Sequence, residues 1–306
     1  MPERAFKIVG LGEILWDLFP AGRQLGGAPS NFAYITTLLG NCGIVASRVG
    51  AEALGNDALA QLAKIGVTTE FVQRDDVHAT GVVRVEVDSA GQPRFEIAED
   101  VAWDFLEWTD AWKQLASEAD AVCFGSLAQR CPTSRNTIRN FVRSTRPGAV
   151  RVFDVNLRQS FFTRETLTES MDVADVVKLN HEELPRIMDM LGLAHGDLCS
   201  SARRLLALHH LKLVCVTRGH SGSLIVTSEQ TMSEHLGFPV KVADTVGSGD
   251  AFTASLIHEY LRGRSIEEMN ETANRVGAWV ASQVGGMPVP PGGDLRAAVA
   301  SLKKSS

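Results

Sequence analysis

The groups best equipped for chemistry crowd into Val242–Leu261, VADTVGSGDAFTASLIHEYL. A short strand-like run ends at Asp244, a glycine-rich turn follows, and an apolar helical pattern begins. Gly247 and Gly249 let the backbone turn tightly and bring successive N–H groups to a ligand with no Cβ in the way. A helix starting there aims its unsatisfied N–H groups and positive dipole end at an anion. Asp250 falls in its first turn. A carboxylate beside a phosphate cradle repels the phosphate unless it has another task, and accepting a proton from an attacking hydroxyl is such a task. Capping the helix is the other role open to it.

A second cluster lies near the start. Gly12–Asp17 (GEILWD) follows an apolar run, which places Asp17 just outside the carboxyl end of a strand, where open α/β sheets bind ligands. Gly26–Asn31 (GGAPSN) leads into a helix. Asp17 and Asn31 pair an acceptor-only carboxylate with a mixed donor–acceptor amide, a combination suited to fixing sugar hydroxyls. A loop carboxylate and a helix-start Asn are the structural readings of the same residues. The rival phosphate motifs are absent: there is no GxxxxGKS/T loop, Gly10 and Gly12 do not extend to GxGxxG, and the protein-kinase catalytic set is missing.

These residues need a scaffold, and the chain reads as short β-rich runs alternating with amphipathic helices. Strands are expected at Phe6–Gly12, Ile44–Val49, Ala121–Phe124, Val150–Val155, Val176–Leu179 and Leu213–Thr217. Helices are expected at Pro29–Leu39, Ser134–Ser144, Glu182–Leu191 and Ser200–His209. Such alternation predicts an α/β fold, a mostly parallel central sheet with helices on both faces. Thr80–Ile97 breaks the rhythm, with period-two alternation on both sides of SAGQP. That is a hairpin, either a sheet edge or a small β lid over the site. No linker or repeat interrupts the chain, so residues 1–306 are read as one domain.

Composition narrows the partners. The 306 residues are 44% hydrophobic and 22% charged, with a net charge of −6. That balance suits a globular fold and argues against a nonspecific grip on nucleic acid. Cys42, Cys123, Cys131, Cys199 and Cys215 form no CxxC pair or zinc-finger spacing, the pattern of reduced thiols. No apolar run reaches the roughly 18 residues of a membrane helix, and the first ten residues lack a signal-peptide core. The expectation is a cytoplasmic protein with no membrane partner.

Taken together, GEILWDLFP…GGAPSNFA and DTVGSGD resemble the ribokinase-like sugar kinases, and the first run is most similar to the fructokinase branch. DVNLR (Asp154–Arg158), NHEE (Asn180–Glu183), TRGHSG (Thr217–Gly222) and Asn274–Pro288 follow in family order, so the resemblance covers nearly the whole chain. It implies an ATP-dependent carbohydrate kinase in which Asp250 deprotonates the sugar's primary hydroxyl. Amides of Gly247, Ser248 and Gly249 would hold the developing phosphate charge, where relatives usually carry Ala in place of Ser248. Arg158 would reach the transferred phosphate or the sugar, and Asp17, Gly27 and Asn31 would bind the sugar.

The resemblance further assigns Mg²⁺, held through water, to Asn180 and Glu183, and K⁺ to backbone carbonyls at Asp244 and Val246. Thr217, Gly219 and Gly222 would lie near the nucleotide phosphates and ribose, with Asn180 close by and Asn274 and Ala278 lining the adenine pocket. The hairpin becomes a lid, and the protein a monomer or homodimer. Fructose is the favoured acceptor. The alternatives are 2-keto-3-deoxygluconate, whose carboxylate Arg84 or Arg94 would meet, ribose, a nucleoside, or a catalytically silent sugar-binding regulator on the same fold.

Overall fold

Alternate residues of the buried strands face opposite apolar layers, and that pattern dictates the architecture. The computed structural model describes residues 4–20, 22–87 and 93–302. In chain order the elements are β1 (Lys7–Leu11), β2 (Leu15–Phe19), β3 (Gly22–Gly26), α1 (Ala28–Leu38), β4 (Cys42–Gly50), α2 (Ala53–Lys64), β5 (Val72–Asp75), β6 (Gly81–Val87) and β7 (Pro93–Ile97). Then come α3 (Asp110–Glu118), β8 (Ala121–Gly125), α4 (Pro132–Arg143), β9 (Val150–Asp154), α5 (Arg164–Val173), β10 (Val176–Asn180), α6 (Glu183–Leu191), α7 (Leu198–Leu208) and β11 (Leu213–Thr217). The last are β12 (Ser223–Thr227), β13 (Met232–His235), α8 (Ser248–Leu261), α9 (Ile266–Ala281) and α10 (Leu295–Ala300).

Nine strands form the central sheet in the order β13-β12-β11-β10-β9-β8-β1-β4-β5, parallel except for β12 and β13. Val9, Val177 and Val214 point into a core built with α3 to α7, through Trp112, Phe141, Met171, Ile187 and Leu205. Their neighbours Ile8, Val176 and Leu213 point the other way, into a core with Phe32 of α1, Leu62 of α2, Leu256 of α8, Val276 of α9 and Leu295 of α10. Strands buried on both faces read as continuous apolar runs, as these do. The chain leaves β1 toward β4 on one side and returns to β8 on the other. Ligands bind at the strand carboxyl ends of such a reversal.

The remaining strands make a separate four-stranded sheet, β3-β2-β6-β7. The expected hairpin is β6 and β7, antiparallel from Val83 opposite Ile97 to Val87 opposite Pro93. Its turn, residues 88–92, lies outside the described residues. Sequence reading missed the other half: β2 and β3 pair antiparallel, and β2 runs parallel to β6. Leu15 and Trp16 are both buried, which blurs the period-two pattern there. Asp17 therefore sits within β2, opposite Gln24, and not in a loop after β1. A second correction concerns Val242–Asp244, which forms no strand; this stretch is partly exposed and tied to Ala281 by the N–H groups of Ala243 and Asp244.

Candidate active site

Helix α8 starts where the glycine turn predicts, with Gly247 as N-cap in the left-handed region (φ 74°). Ala251 is the first residue to donate back along the helix, to Gly247 O at 2.9 Å. That leaves the N–H groups at the turn as the helix's positive end. Ser248 is partly spent on the turn itself, because its hydroxyl donates to Thr245 O at 2.8 Å and its N–H to the same oxygen at 3.3 Å. The hydroxyl thus holds the turn together.

Asp250 is buried in the first turn of α8, and Asn31, from α1, donates Nδ2 to its Oδ2 at 2.8 Å. Burial pushes the Asp250 carboxyl up to about 6, with Asp154 adding to the effect and Lys178, Asn31 and Arg158 opposing it. A carboxylate in that range is ionised at neutral pH yet basic enough to take a proton. The amide of Asn31 is oriented by this bond, and its Oδ1 is buried with no donor among the described residues. Asp17, half-buried on β2, is likewise raised to about 6 by burial and by the charge of Asp244, against the pull of Arg158. The proximity of Arg158 and Asp244 to Asp17 links the four-stranded sheet electrostatically to the glycine turn.

Four features were not anticipated. Lys178 is a buried cation in the otherwise apolar β10, with Nζ 3.0 and 3.1 Å from the two carboxylate oxygens of buried Asp154. Burial works against its charge, but Asp154, Glu183 and Asp250 outweigh it and hold its pKa above the ordinary lysine value. A Cβ on Gly249 would stand 2.9 Å from Lys178 Nζ, so the ammonium lies directly against the glycine turn. Thr253, one turn along α8, donates to Asp154 Oδ2 at 2.9 Å. Glu13 is buried and raised to about 7, chiefly by burial, with Asp250 adding to the effect. It shares a small crevice with Asp154 and Asp250. The signal available for Lys178 was a lone charge in VVKLN.

Asn180 and Glu183 form a reciprocal cap at the start of α6. Asn180 Oδ1 accepts from the N–H groups of Glu182 and Glu183, both at 2.9 Å, while Glu183 Oε2 accepts from Asn180 N at 2.8 Å. Glu183 Oε1 accepts from Leu157 N at 2.8 Å, next to Arg158. Each carboxylate oxygen thus accepts from one backbone amide and keeps a lone pair with which to accept from water in a hard cation's shell. Among the described residues no group of three or more His, Cys, Asp or Glu could hold a metal directly. Arg158 is exposed on a loop bracketed by left-handed Asn156 and Gln159.

A cleft of about 500 Å³ opens on the other side of the turn. It brings together Thr217, Gly219, Gly222, Asn274 and Ala278, the residues expected near the nucleotide apart from Asn180, which does not line it; Ser248 and Gly249 of the turn and an apolar wall that includes Phe238, Val240 and Phe252 complete it. Arg84 is exposed, 3.9 Å from Glu96. The side chain of Arg94 lies outside the described residues. Among the described residues no helix is long and apolar enough to cross a membrane.

A cleft and a buried carboxylate thus meet at one glycine turn. Residues 21–291 match the model of the pfkB family of carbohydrate kinases, and the chain belongs to that family. It is 33% identical to the fructokinase of Salmonella typhimurium over 264 residues, 82% of this chain and 83% of the relative. It is 30% identical to the fructokinase of Escherichia coli over 305 residues, 93% and 96% of the two chains. A structure of a Pyrococcus horikoshii sugar kinase in complex with ATP superposes with a TM-score of 0.79 at 27% identity, covering 92% of this chain and 94% of that one. The protein is an ATP-dependent sugar kinase with the ribokinase-like α/β fold.

Proposed function

We propose that the chain is a fructokinase, transferring the γ-phosphate of ATP to the primary 6-hydroxyl of fructose, with Asp250 as general base. One observation carries the base assignment: a buried carboxylate with a pKa of about 6, held by Asn31 in the first turn of the helix whose N-terminus forms the glycine turn. In this reading Asp17, Gly27 and Asn31 fix the sugar, and the orphaned Asn31 Oδ1 accepts from one of its hydroxyls. Asp250 takes the hydroxyl proton as the oxygen attacks the γ-phosphorus, and ADP departs. The amides of Gly247, Ser248 and Gly249, with Arg158, stabilise charge on the transferred group; phosphoryl transfer depends mainly on such positioning and electrostatics.

The nucleotide occupies the cleft from Thr217, Gly219 and Gly222 to Asn274 and Ala278. Asn180 and Glu183 would hold Mg²⁺ through water, and the ion would supply charge neutralisation at the phosphates. K⁺ is assigned to the carbonyls of Asp244 and Val246. The four-stranded sheet closes over the sugar and excludes water as a competing acceptor. We read residues 1–306 as one domain of a cytoplasmic monomer or homodimer.

Fructose is favoured because both enterobacterial relatives are named fructokinases. The test is a coupled ADP-release assay across fructose, mannose, glucose, ribose, 2-keto-3-deoxygluconate and adenosine. Fructose should give the highest kcat/KM. A higher value for another acceptor overturns the sugar while leaving the base chemistry in place.

A further inference from the structure

Arg130 ends the helical turn Leu127–Gln129 that follows β8, and its side chain is only 7% exposed. A guanidinium is costly to bury unless it is paired. Asp104 supplies the pair: Arg130 donates Nε to its Oδ1 at 2.8 Å and Nη2 to its Oδ2 at 2.7 Å. The planar group also lies over two rings, its carbon 4.0 Å from the centre of Trp103 and 4.7 Å from that of Phe161. Nη1 is buried with no acceptor among the described residues. An ion pair alone explains neither the two rings nor the idle donor.

These partners belong to two different parts of the molecule. Nη2 also donates to Ala98 O at 2.6 Å, and Ala98 follows β7 directly, its own N–H donating to Val82 O of β6 at 3.0 Å. Trp103 is fully buried, and a Cβ on Gly81, the first residue of β6, would stand 2.2 Å from its indole Nε1. Both β6 and β7 are therefore registered on the Arg130 cluster where the four-stranded sheet joins the central body. Phe161 belongs elsewhere: its N–H donates to Arg158 O at 3.0 Å, closing the turn that carries Arg158. One guanidinium thus touches the root of that sheet and the Arg158 turn. A lysine could pair with Asp104, but it has neither the fork that also reaches Ala98 nor the flat face that stacks.

We propose that Arg130 is a positioning residue for phosphoryl transfer: it couples the root of the four-stranded sheet to the Arg158 turn, so that seating the sheet over the sugar sets Arg158 in place. A shift of Ala98 or Trp103 with the sheet carries the guanidinium with it. The guanidinium carries Phe161, which shares a turn with Arg158. A displacement of about 1 Å at a reacting group is enough to cost about a hundredfold in rate. The inference rests on the reading of the sheet as a lid and of Arg158 as a contact of the transferred phosphate or the sugar. Neither reading requires Arg130.

The test uses Phe161→Leu, which removes one stack and leaves the Asp104 pair and the Ala98 bond in place, and Arg130→Lys. Each is made alone and combined with Arg158→Ala. At saturating ATP and the best acceptor sugar of the panel, either change should lower kcat by about ten- to a hundredfold. In the Arg158→Ala background the same change should lower kcat less than about twofold, because the group being positioned is gone. A merely structural role would cost the same factor in both backgrounds, and that result overturns the proposal, as does wild-type kcat in Phe161→Leu. Hydrogen exchange gives a readout that needs no variant. Saturating sugar should slow exchange in residues 98–104 and 157–163 of the wild type together, and Phe161→Leu should keep the first effect and lose the second. Protection of 98–104 alone in the wild type overturns the coupling. Wild-type kcat in Arg158→Ala would instead overturn the reading of Arg158, and the inference with it, through a separate measurement.

Discussion

Asn31 and Asp250 are 219 positions apart in the chain, yet the amide of one donates to the carboxylate of the other at 2.8 Å inside the protein. The bond joins α1 to α8, the two helices capped by Gly27 of GGAPSN and Gly247 of GSGD. It orients the carboxylate and supplies part of the stabilisation that keeps its rise in pKa moderate.

Asp250→Asn should lower kcat by about a hundredfold to ten-thousandfold, the usual worth of a positioned base. Sugar binding by calorimetry should change only a few-fold. Stability should move the other way. The folded pKa of about 6 lies above the ordinary 3.8, so the favourable contribution of this group is present below about pH 3.8 and lost as pH rises through 6. At pH 7.5 the ionised carboxylate is a net cost, and the neutral isostere should raise stability by about 1 kcal/mol in urea unfolding. Full activity in the variant would remove Asp250 from the reaction.

The pH profile carries a second signature. Asp250 and Asp17 are both raised to about 6, and both must be ionised in the proposed complex. The acidic limb of kcat/KM should therefore fall below pH 6 more steeply than one proton allows. Asp17→Asn should return that limb to single-proton slope and raise the sugar KM. Asn31→Leu removes a bond that favours the ionised form, so it should shift the remaining limb to higher pH. A limb near pH 4 in the wild type would contradict both assignments.

How far these relations were legible varies with their physical origin. The parallel sheet announces itself because strands buried on both faces are continuous apolar runs, as in VVKLN and LVCVT. The start of α8 was readable because only glycine adopts the conformation at 247 freely. β2 was not readable, since consecutive Leu15 and Trp16 are both buried and spoil the alternation. The strand-like run ending at Asp244 misled for the opposite reason, its Val242 being β-prone yet exposed outside any sheet. The reciprocal cap at Asn180 and Glu183 was hidden behind the metal role that the family resemblance implies, although the same spacing, a capping residue three before a glutamate, is that of a capping box.

That cap yields a third prediction. Glu183 accepts from both Leu157 N and Asn180 N, so it fastens the Arg158 loop to the start of α6. Glu183→Ala leaves two backbone N–H groups without their acceptor and should destabilise the protein by about 2–4 kcal/mol. Glu183→Gln keeps one acceptor oxygen and should recover part of that stability. If the main task of Glu183 is to hold the loop, kcat should fall in step with stability across the two variants while the Mg²⁺ concentration for half-maximal rate stays within a few-fold. A large rise in that Mg²⁺ requirement in Glu183→Gln, with stability kept, would instead mark the water-mediated metal contact as dominant.

The buried pair of Lys178 and Asp154 allows stability and catalysis to be separated. Removing one partner strands the other charge: Lys178→Met should cost about 3–5 kcal/mol. Replacing both with apolar residues of similar volume, Lys178→Met with Asp154→Leu, removes that stranded charge and should restore much of the loss, because buried ion pairs often contribute little net stability. Activity should not return with it. Nζ lies against Gly249 and lowers the pKa of Asp250, so the double variant lacks the cation beneath the glycine turn. Its KM for ATP should rise and kcat should stay depressed at neutral pH. The loss of Lys178 pushes Asp250 upward while the loss of Asp154 pulls it down, so the acidic limb should move little. A stable double variant with wild-type kcat would show that the pair serves packing alone.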